Sequence, residues 1–198
     1  HNKKEAVETA RRALAKPTGV SALDGSVQQR LFRSTKLWAL CADTEESYGT
    51  LATCKSTYEK ALEARIATPQ LVINFAHFLE EQKHFEESFK AYEKGVAAFK
   101  WPAVHDIWVM YLTKFIKRYG GRKLERARDM FEQALEKCPS SHCKVIYLLY
   151  ARLEEQYGLA RHALAIYDRA TENCEDADRM QMYNLYIAKT GEFFGLTR

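Results

Sequence analysis

Seven cations lie between Lys114 and Arg128: Lys114, Lys117, Arg118, Arg122, Lys123, Arg126 and Arg128, opposed within that window only by Glu125. A ridge of this density suits the oxygens of phosphates, whether on an RNA backbone or replaced by the carboxylates of an acidic protein, with Tyr119 beside it as a ring for stacking. Two facts weigh against direct RNA binding. Stacking aromatics are not interleaved through the run, and 30 Lys and Arg against 26 Asp and Glu leave the chain a net charge of only +4. The plainer reading is a solvated face whose Arg126 and Arg128 pair with acids of adjacent helices, or a protein contact. The residues offered to a partner or to RNA are then Lys114, Lys117, Arg118, Arg122 and Lys123. Gly120 and Gly121 are no phosphate loop, because no Gly-x-x-x-x-Gly-Lys-Ser/Thr string exists.

Cys138-Pro139-Ser140-Ser141-His142-Cys143, with Cys174 beyond, has the residue types of a zinc site. The spacing matches no standard finger. Cys138 and Cys174 also occupy equivalent places in successive repeats, which stack about 10 Å apart, whereas ligands of one zinc lie about 2.0 to 2.3 Å from it. No metal is expected. His77, His84, His105, His142 and His162 fall in different repeats with no recurring Cys, Ser or carboxylate partner, so they read as packing or surface residues. The doublets Glu45-Glu46, Glu80-Glu81 and Glu154-Glu155 recur at one structural position, which favours salt bridges to Lys or Arg over acid-base chemistry. No catalytic residue and no cofactor are expected.

The elements that carry these groups form a repeat. A five-residue column opens at Tyr58, Tyr92, Phe131 and Tyr167, at intervals of 92−58=34, 131−92=39 and 167−131=36 residues, the length of a two-helix unit. Small residues lie four before each ring (Cys54, Ser88, Ala127, Ala163) and three after it (Ala61, Gly95, Ala134, Ala170), on one helix face that admits a neighbouring helix. The acid and base that follow each ring point toward solvent. A second column, Trp38, Ile73, Trp108 and Tyr147, heads the preceding helix, here helix A of each repeat, and the Glu doublets follow it at a fixed offset. Repeat three has Phe115-Ile116 there instead. Tyr48-Gly49, Tyr119-Gly120, Tyr157-Gly158 and Phe194-Gly195 mark helix ends, where glycine is expected in the left-handed conformation. Thr68 and Pro69 suit the start of a helix, and Trp101-Pro102 the end of one.

The ends are ragged. Residues 1–16 read as helix B of a truncated preceding repeat and 17–34 as an inter-repeat loop with the start of the next helix. Residues 35–171 make four complete repeats, and 172–198 a loop and helix A of a truncated following repeat. A chain that begins His1-Asn2 without Met reads as a piece of a longer protein. No run of about eighteen apolar residues and no charged-then-apolar leader is present, so neither a membrane span nor a secretory signal is expected. Five cysteines, an odd set, suit a reducing compartment.

Aromatic-headed A helices ending in acids, with a period drifting from 34 to 39, resemble half-a-TPR (HAT) repeats, typical of RNA-processing proteins. The strings Arg65-Ile66-Ala67-Thr68-Pro69-Gln70, Phe78-Leu79-Glu80-Glu81, Arg118-Tyr119-Gly120-Gly121-Arg122-Lys123-Leu124-Glu125-Arg126-Ala127-Arg128 and Gly158-Leu159-Ala160-Arg161-His162-Ala163 resemble the middle of the Syf/XPA-binding-protein family of pre-mRNA splicing factors, most closely from Trp38 to Thr171. The resemblance implies an all-α, right-handed α-α superhelix (solenoid) of HAT helix-turn-helix repeats. It implies a nuclear, non-catalytic scaffold contacting a crooked-neck-like HAT protein, the helicase aquarius and subunits of the Nineteen-type complex, in a family also linked to transcription-coupled DNA repair. The alternative is an RNA-binding helical-repeat protein using Lys114 to Arg128.

Overall fold

A computed structural model describes residues 2–19 and 25–195. The fold is all-α, and among the described residues there is no strand. The helices run α1 (Asn2–Ala13), α2 (Val27–Phe32), α3 (Thr35–Tyr48), α4 (Leu51–Glu63), α5 (Pro69–Glu81), α6 (Phe85–Ala98), α7 (His105–Tyr119), α8 (Leu124–Glu136), α9 (Cys143–Tyr157), α10 (Ala160–Asn173) and α11 (Asp176–Phe194). They fall into two units, His1–Tyr92 and Glu93–Arg198, whose boundary lies within α6. In the first unit α1 lies on α3, α3 on α4 and α4 on α5; in the second α7 lies on α8, and α9 on both α8 and α10, with α11 on α10.

Local sequence sets the starts and stops. Thr68 caps α5 by accepting from Leu71 N–H, with Pro69 in the first turn. Thr50 and Thr53 form a reciprocal capping box at the start of α4. α6 stops at Ala98, three residues before Trp101-Pro102, so the proline lies beyond a helix that has already ended. Part of the loop expected over 17–34, residues 20–24, lies outside the described residues, as do 196–198 beyond Gly195. Within 25–34 the chain forms α2, a six-residue helix of its own, capped by Ser26.

The ring column is the seam of the fold. Tyr58, Tyr92, Phe131 and Tyr167 are at most 5% exposed, and Cys54, Ala61, Ser88, Ala127, Ala134, Ala163 and Ala170 are at most 1%. Small side chains let one helix backbone approach another, and the ring fills the space beside them. Tyr58 of α4 stacks on Phe75 of α5 with centroids 4.4 Å apart, and Phe131 of α8 on Tyr150 of α9 at 4.7 Å. Each such pair contributes roughly 0.5–1.5 kcal/mol beyond the area it buries.

A buried carboxylate closes two of these joints. Glu45 and Glu154, the first acids of their doublets, are each 1% exposed. Arg11 of α1 holds Glu45 through Nε and Nη2, at 2.5 and 2.9 Å, and Thr53 Oγ1 donates to it at 2.7 Å. Arg128 of α8 holds Glu154 in the same forked way, at 2.6 and 2.7 Å, with His162 Nδ1 3.6 Å away. The second acids take another role: Glu46 accepts from the Tyr58 hydroxyl at 2.5 Å and Glu155 from Tyr167 at 2.7 Å. Repeat three lacks the whole set. Phe115 and Ile116 replace the acids, Phe131 has no hydroxyl, and Phe89 stands at the position of Arg11 and Arg128, three before its ring.

The glycine expectation needs correction. Gly120 (φ 50°) and Gly195 (φ 76°) do take positive φ, but Gly49 and Gly158 have φ of −87° and −107°. These two are glycine for want of room: a Cβ on Gly49 would collide with the Glu45 carboxylate, and one on Gly158 with that of Glu154. α4 and α5 instead end with Arg65 (φ 54°) and Lys83 (φ 64°) in the left-handed region, where the sequence offers no glycine.

The pairing has a pH dependence. The Glu45 carboxyl lies below its ordinary value of 4.5 because Arg11 hydrogen bonds it; Glu154 is pushed up by burial but pulled further down by Arg128. Folded values below the unfolded one mean a contribution fully present above about pH 4.5 and lost as pH falls through the folded values. Urea unfolding of Arg128→Ala is expected to show a loss of about 3 kcal/mol, because Glu154 stays buried and charged without its cation. The double change Arg128→Leu with Glu154→Leu should recover to within about 1 kcal/mol and weaken the fall in stability below pH 4.5.

Candidate functional site

The cationic ridge runs from α7 through a short 3-10 turn, Gly120–Lys123, into α8. The fold divides it. Arg126 reaches Glu93 at 2.9 Å and lies over the Phe115 ring at 5.7 Å. Arg128 is committed to Glu154 and Glu125 and is 21% exposed. These are the pairings with adjacent helices that the sequence suggests. Lys117, Arg118 and Arg122 are exposed around the turn, whereas Lys114 and Lys123 are half-buried. The turn packs against Tyr157: a Cβ on Gly120 or Gly121 would come within 3.2 or 3.1 Å of that ring.

Tyr119 is not the open stacking ring expected. Lys123 Nζ sits 3.7 Å above its centroid, and Phe115 packs against it at 4.8 Å. A base would have to displace a cation already held by the ring quadrupole. The face is therefore a cluster of charge without an aromatic platform, suited to carboxylates or phosphates as point charges.

The acid and base after each ring do more than face water. Glu132 accepts two hydrogen bonds from Arg169, at 2.7 and 2.9 Å, and Lys55 pairs with Glu87, so successive B helices are linked by ion pairs. Arg169 also lies 5.9 Å from the Tyr147 centroid. The acids Glu93 and Glu132 recur one residue after their rings, but their partners Arg126 and Arg169 hold different repeat positions, so spacing carried only half of the signal for this ladder.

The cysteines are arranged otherwise than the stacking distance suggests. Cys143 opens α9 and Cys174 follows α10, so the hairpin of one repeat brings their sulfurs to 3.4 Å. Both are buried. Among the described residues no three His, Cys, Asp or Glu side chains gather as they would around a metal ion. Two histidines expected in isolation also meet: His105 and His142 have ring centroids 5.4 Å apart, beside Trp101. The others lie near acids, His77 beside Glu81 at 3.4 Å and His84 beside Glu87 at 3.0 Å. No helix among the described residues is long and apolar enough to cross a membrane.

Burial pushes every thiol up, Cys41 to about 11 and Cys54, Cys138 and Cys143 to about 12. A thiol held protonated is a poor nucleophile. Iodoacetamide at pH 7.5 is therefore expected to label the native protein slowly, and all five cysteines rapidly in 6 M guanidinium chloride, with adducts counted by mass spectrometry.

The model of the "Pre-mRNA-splicing factor Syf1/CRNKL1 C-terminal HAT repeat" matches residues 1–198. The chain is 57% identical over 199 aligned residues to pre-mRNA-splicing factor SYF1 of Homo sapiens, covering 99% of this chain and 23% of that protein. It is 50% identical over 200 residues to SYF1 of Dictyostelium discoideum, covering 100% and 24%, and 47% identical over 171 residues to cwf3 of Schizosaccharomyces pombe, covering 86% and 22%. The chain thus spans about a quarter of the length of these curated relatives. With helix pairs stacked through a ring column, buried acids at the ends of A helices and this match across all its residues, the chain belongs to the Syf1/CRNKL1 family of HAT-repeat pre-mRNA-splicing factors.

Proposed function

We propose that this chain is a non-catalytic protein-interaction scaffold of pre-mRNA splicing, acting in the nucleus. One observation carries the reading: the groups that could have done chemistry are spent joining helix to helix. Glu45 and Glu154 are held by arginines of a neighbouring helix, and Glu46 and Glu155 by ring hydroxyls. The stacked pairs present their outer faces and turns to partners, as helical repeats do. The names of the relatives supply the process, and the resemblance supplies the partners: a crooked-neck-like HAT protein, the helicase aquarius and subunits of the Nineteen-type complex. In this reading residues 1–16 and 172–198 are parts of flanking repeats, 17–34 a connection, and 35–171 four whole repeats.

The exposure of Lys117, Arg118 and Arg122 supports a second reading, a direct RNA contact at the turn between α7 and α8, with Lys114 and Lys123 at its margin. The occupied face of Tyr119 favours an acidic protein surface over RNA there. Titration of the chain with 15-nucleotide single-stranded and duplex RNA at 50 and 200 mM salt is expected to show no salt-sensitive binding; tight binding that weakens at least tenfold across that range, and is lost in Lys117→Glu with Arg122→Glu, would establish the RNA reading. Cross-linking of the full-length protein within its nuclear assembly is expected to join these repeats to protein, and cross-links to RNA alone would overturn the scaffold.

A further inference from the structure

The first unit contains a basic groove that none of the joints described above uses. Its larger part, about 770 Å³, lies among α1, α3 and α4 and is lined at its base by Leu14, Phe32, Trp38 and Cys41. A second part of about 650 Å³ adjoins it, sharing Lys16, Phe32 and Ala64. The space exists because the walls are short: Ala15, Thr57 and Ala64 stand where longer side chains would close it. Four cations border it, Lys16, Arg33, Lys60 and Arg65, all exposed. None of the four has an ion-pair partner among the described residues, in contrast to Arg11, which is held by Glu45, and the one carboxylate on the rim is Glu63.

We propose that this groove receives an acidic segment of a partner protein, carrying apolar anchors between its carboxylates. The inference rests on the scaffold reading and gives one of its docking surfaces a chemistry. Charge complementarity selects an acid-bearing ligand, since four unpaired cations against one carboxylate repel a basic one and give a neutral one no Coulombic gain. The floor selects a peptide over RNA. Trp38 is 3% exposed, its Nε1 donates to the Phe32 carbonyl at 2.7 Å, and the two rings meet edge to face at 5.8 Å, so the indole has no open face for a base. What the floor offers is aliphatic and aromatic edge, on which Leu or Phe side chains lose water.

The test is fluorescence anisotropy with the 198-residue chain and a labelled 15-residue peptide bearing six Asp or Glu around two Leu and one Phe. Binding is expected, falling at least fivefold from 50 to 200 mM salt and at least tenfold in Lys16→Glu with Lys60→Glu, whose helicity is checked by circular dichroism. The variant Lys117→Glu with Arg122→Glu should bind as the unaltered chain does. A peptide with its acids replaced by Asn and Gln, and one with Leu and Phe replaced by Ser, should each bind at least fivefold more weakly. No binding, equal binding of the neutralised peptide, or displacement by a 15-nucleotide oligouridine at lower concentration overturns the groove. The scaffold reading fails separately, if cross-links from the assembled full-length protein reach no protein at any surface.

Discussion

Helix B can meet its neighbours only because its inner face is almost without side chains. The eight small residues from Cys54 to Ala170 that flank the rings are closed off from solvent, and any longer side chain there would separate backbones that the rings require to be close. From that approach the rest follows. Rings stack across two of the joints, Tyr58 on Phe75 and Phe131 on Tyr150, and in repeats one and four the end of helix A is carried deep enough that its first acid is only 1% exposed. A carboxylate in that position has to be met by an arginine, and the arginine has to come from the adjacent repeat.

Magnitude separates the charges that matter from those that decorate. Glu132 with Arg169 and Glu93 with Arg126 are each about half exposed, and pairs of that kind contribute roughly 0.2–1 kcal/mol and weaken with salt. Glu154, with 1% of its side chain exposed, belongs to another regime, in which the cost of losing a partner far exceeds the benefit of having the pair. Repeat three has no charge at this position: Phe115 is 2% exposed where Glu45 and Glu154 stand elsewhere. Repeat two is a mixed case, with a half-buried Glu80 and Lys55 in the place of the arginine, paired to Glu87.

The repeat was readable from sequence because it is written in residue types at fixed spacing, and the family followed from strings such as Arg118 to Arg128. The buried acids were readable as a column but not as buried, since Glu at a helix end is ordinarily solvated; their environment depends on Arg11 and Arg128, which lie in other helices. The same limit applies to Cys143 and Cys174, whose 3.4 Å approach is a property of the hairpin and not of their 31-residue separation. Tyr119 looked open because its coverer, Lys123, is itself part of the charge run that made the ring interesting. The basic groove had no local signature at all. Its cations come from α4 and the segments following α1, α2 and α4, and its volume from residues that are merely small.

The Gly49 and Gly158 turns bear on how such arrays change over generations. A carboxylate fills the place of the missing Cβ, so each glycine is bound to an acid four residues earlier, and the acid to an arginine in another helix. Substituting the glycine first creates a clash, and removing the acid first strands a cation and opens a void. The three positions form an epistatic lock in which a change at any one of them alone is costly. Repeat two, with His84 four residues after a half-buried Glu80, and repeat three, with no acid at all, carry neither that glycine nor a fully buried acid, so neither is bound by the lock.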